Sequence, residues 1–289
     1  MNYRHSYHAG NFADVMKHVV LVQLLRAMQQ KEKGILYLDT HAGRGAYDLS
    51  AASKGDSLVR DPEWPNGIGR ILAHHDLPLV LKEYAEVARQ FDRDRGNRDE
   101  MPRYFPGSPW IARLLARSQD RLALCEKHPE EFAVLSEEFR FSPNTTVQEM
   151  DGYVALRAML PPLERRALVL IDPAFEEQNE FERVLSALRG GLKRLPSGVF
   201  TIWYPLTQRA RIATLFDGLL ALQVPPTLVL ELTITGEQTA LKMRGCGLAV
   251  INPPWKFDTL IAPAMRNLAE LLAVADGADS RIYWLVPEK

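Results

Sequence analysis

Short runs of apolar residues alternate along this chain with longer segments in which apolar residues recur every three or four positions. The short runs are typical of strands buried on both faces of a parallel sheet, and the longer segments are typical of helices packed against it. Strands that alternate with helices predict a doubly wound α/β sheet. The predicted strands fall at residues 35–38, 121–125, 145–148, 167–171, 198–203, 227–233, 246–251 and 282–286.

Two of these runs, residues 227–233 and 246–251, surround a polar turn and therefore predict an antiparallel pair. We expect an α/β fold with a seven-stranded mixed sheet whose last strand is antiparallel. Residues 282–286 then form a short strand that closes the chain.

The first helix is predicted to begin after Asn11, because asparagine is a favoured N-cap residue. Apolar residues at Phe12, Val15 and Val19 follow at helical spacing, and Gly34 is expected to end the helix. Further helices are predicted near residues 79–91, from about Pro129, and around residues 260–273.

Residues 50–107 interrupt the alternation, because they are rich in proline and in charge. They predict a small helical insertion on a core formed by residues 1–49 and 108–289. Arginines in this span could bind phosphate groups, but acids lie between them, so a solvated and mutually paired face is the favoured interpretation. The arginines are Arg89, Arg93, Arg95, Arg98 and Arg103, and the acids are Asp92, Asp94, Asp99 and Glu100.

Charge and cysteine content narrow the class of protein. The formal net charge of −1 excludes a globally basic nucleic-acid coat, although a local basic patch is still allowed. Cys125 and Cys246 lie far apart and form no metal-ligand pair, and the polar N-terminus resembles no signal peptide. No apolar run approaches the length of a membrane span. We therefore expect a cytoplasmic protein with reduced thiols, no membrane association and no metal site.

The N-terminal tail admits two interpretations. It places Tyr3, Arg4, His5, Tyr7 and His8 before the first helix, with no apolar pattern. A polar tail is usually frayed, and that is the favoured interpretation. Aromatic, basic and histidine side chains also suit contact with RNA through charge and stacking.

A carboxylate follows the buried run at residues 167–171. Proline cannot donate to a strand ladder, so Asp172-Pro173 ends this strand. Asp172 is thereby placed at the carboxyl end of a central strand, where open α/β sheets bind ligands. Together with the Pro173 carbonyl and the Phe175 ring it could hold a planar base that carries an amine. The alternative is that Asp172 only caps the next helix.

Acids recur at the same point after successive strands, at Asp39, Glu126, Asp151 and Asp172. On parallel strands these four would converge on one cleft. The acid after the second strand suits the two ribose hydroxyls of a nucleoside, and the acid after the third suits the adenine amino group. The cleft therefore suits a nucleoside cofactor without phosphate, such as S-adenosylmethionine. A dinucleotide oxidoreductase is the alternative, but it lacks the third glycine at the usual spacing.

With these residues assembled, the chain resembles class I S-adenosylmethionine-dependent methyltransferases that act on the amino group of adenine. More closely it resembles the bacterial RlmJ family of 23S ribosomal RNA adenine-N6 methyltransferases, over essentially its whole length. The segments that carry this resemblance are YRHSYHAGNFADVMKH, LYLDTHAGRG, YFPGSPWIARLL, EKHP, LIDPAF and VINPPWK.

The resemblance implies a Rossmann-like class I methyltransferase fold and a role for several residues. Asp172 is expected to be the catalytic acid and to contact the cofactor, and Tyr3 to contact substrate RNA, with Pro173 and Phe175 at the target base. The expected cofactor-binding residues are His18, His41, Ser108, Glu126, Asp151 and Gly152. Lys17 is a further candidate, as a partner for the methionine carboxylate of the cofactor. The implied substrate is adenine 2030 of 23S ribosomal RNA free of most ribosomal proteins, and the implied state is a monomer.

Two departures from the family pattern bear on these expectations. The tetrapeptide Asp-Pro-Pro-Tyr is replaced here by residues 172–175, with Ala174 at the position of the second proline. A closer match to the general signature, Asn252-Pro253-Pro254-Trp255, follows the predicted antiparallel strand. That strand ends at the opposite edge of the sheet, so Asn252 is expected to be a structural turn residue. Two alternatives to ribosomal RNA methylation are left open. The protein could methylate adenine in DNA, or it could bind RNA without catalysing methyl transfer.

Overall fold

The structure, a computed structural model, describes residues 5–50, 61–207, 209–237, 241 and 243–288. Its strands are β1 (Leu36–Asp39), β2 (Ala46–Asp48), β3 (Tyr104–Pro106), β4 (Arg121–Glu126), β5 (Thr145–Glu149), β6 (Ala167–Ile171), β7 (Val199–Pro205), β8 (Thr227–Thr233), β9 (Gly245–Ile251) and β10 (Asp279–Val286). Its helices are α1 (His5–His8), α2 (Phe12–Met28), α3 (Ile68–Ala73), α4 (Leu79–Asp94), α5 (Ser108–Leu115), α6 (Pro129–Glu138), α7 (Gly152–Ala158), α8 (Glu180–Arg194), α9 (Arg209–Ala221) and α10 (Phe257–Leu272).

Within these residues one mixed sheet has the strand order β10-β8-β9-β7-β6-β1-β4-β5, and β2 pairs with β3 in a separate ladder. Strands β5, β4, β1, β6 and β7 are parallel, whereas β9 is antiparallel to both β7 and β8. The predicted α/β architecture and the predicted antiparallel pair are confirmed. The strand order reverses at β1, which is the position where such sheets bind ligands.

The sheet has eight strands rather than the seven we predicted, because β10 continues it beyond β8. Residues Asp279 to Trp284 pair without interruption with Thr233 to Leu228 of β8. The first half of β10 carries Ser280 and Arg281, so a search for apolar runs finds only its second half.

Each face of the sheet is covered by its own layer of helices and has its own apolar core. Helices α2, α4, α5 and α10 share one core with alternate strand residues such as Tyr37 and Leu170. Helices α7, α8 and α9 share the other core with residues such as Val169 and Ile171. Both faces of the central strands are therefore excluded from solvent, which explains why β6 is a continuous apolar run.

The predicted start of α2 is confirmed and its predicted end is wrong. The Asn11 side chain accepts hydrogen bonds of 3.0 Å from the backbone N–H groups of Ala13 and Asp14. The helix ends at Met28, six residues before Gly34. The following carbonyls are bound by arginine side chains instead, such as Arg117 to that of Lys31 at 2.8 Å. Gly34 is needed for another reason, because a Cβ there would clash with the backbone of Gln119.

The chain preceding α2 is attached to the fold from Tyr7 onward, so the favoured interpretation of a frayed tail is wrong for this part. Glu63 accepts hydrogen bonds from the side chain of Asn11 at 2.8 Å and from His8 at 2.9 Å. The Gly10 carbonyl accepts from the backbone of Ile68 at 2.8 Å.

The described part of the predicted insertion, residues 61–107, packs on α2 and α10. Its apolar side chains Ile71, Leu81, Tyr84 and Phe105 belong to the same core as α2. The division of the chain at residues 50 and 107 stays a prediction.

Among the described residues, the arginines of the predicted insertion form no ion pair with the acids of their own span, so the mutual pairing that we favoured is wrong there. Arg95 pairs with Glu138 of α6, and Arg103 lies 3.7 Å from Asp48 of β2, so both acidic partners come from outside the span. Asp92 is buried and accepts a hydrogen bond of 2.7 Å from the backbone of Tyr104. None of the described helices is both long enough and apolar enough to cross a membrane.

Candidate functional site

Four acids lie at the carboxyl edge of the parallel strands, but the predicted convergence on one cleft is right only for Glu126, Asp151 and Asp172, because Asp39 is fully buried. Asp39 and Glu126 are the last residues of β1 and β4, and Asp172 follows β6. Asp151 follows β5 and begins α7. The loop after β1 is joined to the end of β6, because the backbone N–H of Thr40 donates a hydrogen bond of 3.1 Å to the Leu170 carbonyl.

Asp172 is bound by a lysine from α2. The Nζ atom of Lys17 lies 2.6 Å from Oδ2 of Asp172 and 2.8 Å from Oδ1 of Asp14. Burial alone lowers the pKa of Lys17, but the charges and hydrogen bonds of Asp14 and Asp172 raise this pKa well above its usual value. Lys17 is therefore a buried cation between two carboxylates.

Lys17 is consequently a poor partner for a methionine carboxylate, because two carboxylates already bind its ammonium group. In the part of the chain that the structure describes, Oδ1 of Asp172 accepts no hydrogen bond. The Asp172 side chain keeps 17% of its surface exposed, so this oxygen can still meet a ligand.

Asp39 does not face the cleft with the other acids. Its Oδ2 atom accepts hydrogen bonds from the hydroxyl of Tyr37 at 2.7 Å and from that of Ser108 at 2.6 Å. Burial raises the pKa of Asp39 to about 6, although both hydrogen bonds act in the opposite direction. Ser108 thus fastens the start of α5 to the end of β1, and its hydroxyl proton is not available to a ligand.

Glu126 is half-buried and organises the loops on either side of it. Its carboxylate accepts from the backbone N–H of Gly43 at 2.8 Å and from that of His128 at 2.8 Å. Gly43 has a left-handed φ of 60°, and a Cβ there would lie 2.7 Å from the Tyr47 hydroxyl. A carboxylate has about four acceptor positions, so Glu126 can still accept hydrogen bonds from a ligand.

His41 is a neutral ring whose hydrogen bonding defines one tautomer. Enclosure by the protein lowers the pKa of His41 to about 4. The Thr40 hydroxyl donates to the Leu170 carbonyl at 3.0 Å, so its oxygen accepts from Nδ1 of His41 at 2.8 Å. The Nε2 atom of His41 is then an acceptor.

Asp151 and Gly152 form the start of α7. Asp151 accepts from the backbone N–H of Tyr153 at 2.9 Å and lies 2.9 Å from Arg183. A Cβ at Gly152 would clash with the carbonyl of Thr40, so glycine is required where α7 passes the loop after β1.

The turn after Asp172 presents an aromatic ring. Phe175 has a left-handed φ of 51°, and its half-buried ring lies 4.9 Å from that of Phe181 and 5.8 Å from that of Trp203. Pro173 is buried, whereas Ala174 is exposed.

One predicted residue, His18, is not brought into this cleft by any contact among the described residues. The ring of His18 is buried beside Lys17, where it stacks on Phe105 at 5.4 Å. Tyr3 lies outside the described residues.

Three residues of the site were missed. Asp14 lies one helical turn before Lys17, and that spacing is a signal of an ion pair on one helix face. Arg183 and Tyr153 come together because α7 packs on α8, with the guanidinium 4.6 Å from the ring centre. No local pattern in the sequence indicates that contact.

Asn252 lies at the opposite edge of the sheet, as we expected. It follows β9, which is antiparallel to β7, and its side chain donates to the carbonyls of Pro196 and Gly198 at 2.8 and 2.9 Å. These carbonyls precede β7, so Asn252 fastens the amino end of that strand.

Comparison with known proteins identifies the family of this chain. The family described as "Ribosomal RNA large subunit methyltransferase D, RlmJ" matches residues 32–286. The chain is 39% identical to the Ribosomal RNA large subunit methyltransferase J of Escherichia coli and 38% identical to that of Haemophilus influenzae, with all of each chain covered. A crystal structure of a Legionella pneumophila protein, LPL1258, superposes with a TM-score of 0.84 at 33% identity, covering 96% of this chain and 98% of that one. The chain therefore belongs to the RlmJ family of ribosomal RNA large subunit methyltransferases.

Proposed function

We propose that this protein transfers a methyl group from S-adenosylmethionine to the N6 amino group of an adenine in large-subunit ribosomal RNA. Membership of the RlmJ family and the names of its relatives support the reaction and the class of substrate. The observation that carries the proposal is the position of Asp172 at the end of β6, held by Lys17 and followed by Pro173 and Phe175.

The residues at the carboxyl edge fit this cofactor. Glu126 is half-buried with acceptor capacity left, which suits a pair of ribose hydroxyls. Gly152 lets the start of α7 approach the loop after β1, because any side chain there would clash with the Thr40 carbonyl. When bound, S-adenosylmethionine would supply an electrophilic methyl group, whose bond to the sulfonium sulfur breaks to leave a neutral thioether.

Each residue can then be given a part in holding the cofactor. Glu126 accepts hydrogen bonds from the ribose, and Asp151 with the Gly152 backbone lies near the adenine. His41, neutral at pH 7, offers the acceptor Nε2. Ser108 and His18 support the site indirectly, because Ser108 is hydrogen-bonded to Asp39 and the His18 ring is packed on Phe105.

Asp172 positions the nucleophile. The exocyclic amine of adenine is weakly nucleophilic because its lone pair is delocalised into the ring. Oδ1 of Asp172 and the carbonyl oxygen of Pro173 accept hydrogen bonds from the two N–H groups of the amine, which directs the lone pair toward the methyl group. The amine gives up one of these protons as the N–C bond forms and the bond from the methyl carbon to sulfur breaks. Lys17 holds Oδ2 and thereby fixes the orientation of the carboxylate.

The target base must leave its stack to reach this edge of the sheet, and Phe175 provides a ring on which it can stack. Two other aromatic rings hold that of Phe175 in place. Tyr3 contacts the RNA. The protein acts as a monomer in the cytoplasm, on 23S ribosomal RNA that is free of most ribosomal proteins.

The test is a methylation assay with labelled cofactor on protein-free 23S ribosomal RNA, with duplex DNA as the competing substrate. Nuclease digestion and mass spectrometry should find N6-methyladenosine at one site in the RNA, and Asp172→Ala should abolish it. Methylation of DNA alone would show that the substrate class is wrong. Cofactor binding with no transfer to either nucleic acid would identify an RNA-binding protein without catalysis.

A further inference from the structure

A groove lined by four basic residues lies between α7 and α8. It has a volume of about 500 Å³, and its lining residues are Arg157, Ser186, Arg189, Gly190, Lys193 and Arg194. We propose that this groove binds the ribose-phosphate backbone of the RNA substrate, as a second contact apart from the cleft at the carboxyl edge. This inference rests on the proposed function for the identity of the RNA.

The shape of the groove comes from a small residue at the crossing of the two helices. A Cβ at Gly190 would lie 3.1 Å from Nε of Arg157, so glycine lets this guanidinium lie against α8. Ser186 and Gly190 are spaced by one helical turn and form a floor without large side chains. The cations on either side are exposed and can reach a ligand in the groove.

The groove differs from the rest of the described surface in how its charges are compensated. Many other arginines have an acidic partner, such as Arg44 with Glu131 and Arg121 with Glu164. In the described part of the chain the four groove cations make no hydrogen bond or ion pair with an acid, and they come together although the net charge is −1. Part of this pattern is expected from the dipole of α8, which favours Lys193 and Arg194 in its last turn. The dipole does not account for Arg157, which is on another helix.

Acids near the groove do not cancel its charge. Glu182 lies on the same face of α8, one turn before Ser186. Glu177 and Glu180 lie 3.0 and 3.4 Å from Arg183, and Asp151 lies 2.9 Å from Arg183 and 3.3 Å from Lys127, so these acids pair with cations outside the groove. The groove therefore keeps an excess of positive charge, which suits a polyanion.

The position of the groove suits an RNA that also enters the cleft. Both helices begin at the carboxyl edge, α7 after Asp151 and α8 after the turn that contains Phe175. At 1.5 Å per residue, Arg157 lies about 9 Å along α7 from Asp151, and Arg189 about 13 Å along α8 from Glu180. A folded RNA with its target adenine in the cleft can therefore lay neighbouring phosphates along this groove.

The test compares two triple variants with equal changes of charge. Arg157→Gln, Arg189→Gln and Lys193→Gln remove the groove cations. Arg26→Gln, Lys82→Gln and Arg266→Gln remove the same residue types at exposed positions on α2, α4 and α10, on the other side of the sheet. Affinity for protein-free 23S ribosomal RNA is measured across a range of salt concentrations, and cofactor affinity and the melting temperature are measured as controls.

We expect the groove variant to bind RNA at least about tenfold more weakly near physiological salt. Each lost phosphate contact should also reduce the slope of log affinity against log salt by about 0.7 to 0.9. The control variant should stay close to the parent protein, and both should keep cofactor affinity and melting temperature.

An equal loss of RNA affinity in both variants would overturn the proposal, since the effect would then follow only from net charge. A groove variant that binds RNA like the parent protein, or that weakens without any change in salt slope, would also overturn it. The proposed reaction fails separately, if the parent protein binds ribosomal RNA through the groove but transfers no methyl group to it.

Discussion

The ammonium group of Lys17 lies 2.6 Å from Oδ2 of Asp172, and this ion pair joins α2 to the end of β6 across 155 positions of sequence. Only 7% of the Lys17 side chain is exposed, and Asp14 is its second carboxylate partner. The pair thus connects the proposed catalytic acid with the interior of the helix layer. Its charge balance matters for stability as well as for the reaction.

Lys17→Met should be strongly destabilising, because it leaves Asp14 and Asp172 close together without their shared cation. Removing one member of a buried ion pair typically costs about 3–5 kcal/mol. Denaturant unfolding of the variant measures this change in the free energy of unfolding.

The double variant Asp14→Asn with Lys17→Met is its control, since it removes one of the two uncompensated charges and should recover part of the loss. A single Lys17→Met protein as stable as the parent would show that the pair does not exist in the folded state.

Glu126→Ala should weaken cofactor binding, because the ribose loses a charged acceptor and the Gly43 loop loses its anchor. Hydrogen bonds to charged groups contribute about 1.5–3 kcal/mol each, which is roughly a tenfold to hundredfold change in the dissociation constant. Isothermal calorimetry measures that constant. Glu130→Ala, four residues later and exposed in the first turn of α6, is the matched control and should bind the cofactor normally. Equal affinities for both variants would remove Glu126 from the cofactor site.

Asp39 should make the protein less stable as the pH rises through the acidic range. Burial raises its pKa from 3.8 to about 6, so between these values the folded state binds a proton that the unfolded state has lost. The contribution of Asp39 is therefore most favourable below about pH 4 and is lost as the pH passes 6. A shift of about two pKa units corresponds to roughly 3 kcal/mol.

Asp39→Asn removes this titration. The free energy of unfolding of the variant minus that of the parent protein should therefore increase between pH 4 and pH 7. Any constant effect of the substitution on the bonds to Tyr37 and Ser108 shifts the whole difference and leaves its slope unchanged. A difference that does not vary with pH would mean that Asp39 titrates normally in the folded protein.

The sequence predicts the acids of the site better than it predicts their partners. Asp172 and Glu126 could be placed because a strand end is a local feature, and a parallel sheet brings such ends to one edge. The contacts of Lys17 and of Arg183 could not be placed, because each depends on which helices pack together. For Asp39 the predicted position at the end of β1 is right, but the sequence does not predict the hydrogen bond from Ser108 that holds its carboxylate away from the cleft.

Asp172→Ala should abolish methyl transfer, whereas Asn252→Ala should lower stability and leave methyl transfer largely intact. The first removes the proposed acceptor of the amine proton, so methyl transfer should be lost while the cofactor still binds. The second removes two hydrogen bonds to backbone carbonyls and places alanine at a left-handed φ of 53°, so it should cost about 1–3 kcal/mol of stability. Single-turnover methylation and thermal unfolding measure the two properties. A folded Asn252→Ala protein without activity would mean that the wrong tetrapeptide was chosen.

Ala174→Pro should be tolerated and should retain activity. Ala174 is exposed, its φ is not among the positive values of the chain, and its backbone N–H donates no hydrogen bond within the described residues. Proline removes that N–H and fixes φ near its ordinary negative value, so it should fit between Pro173 and the left-handed Phe175.

The substitution can add up to about 1 kcal/mol of stability, because it restricts the unfolded chain. The rate of methyl transfer should stay within about tenfold of the parent, equivalent to about 1.4 kcal/mol in the barrier, since the three proposed groups are unchanged. Ala174→Gly is the matched control, because it loosens the same turn and should lower stability without changing those groups. A folded Ala174→Pro protein that binds cofactor but transfers no methyl group would show that the turn must move during the reaction. In that case alanine keeps this turn mobile, and a clamp made of Asp172, Pro173 and Phe175 in their present positions does not describe the reacting state.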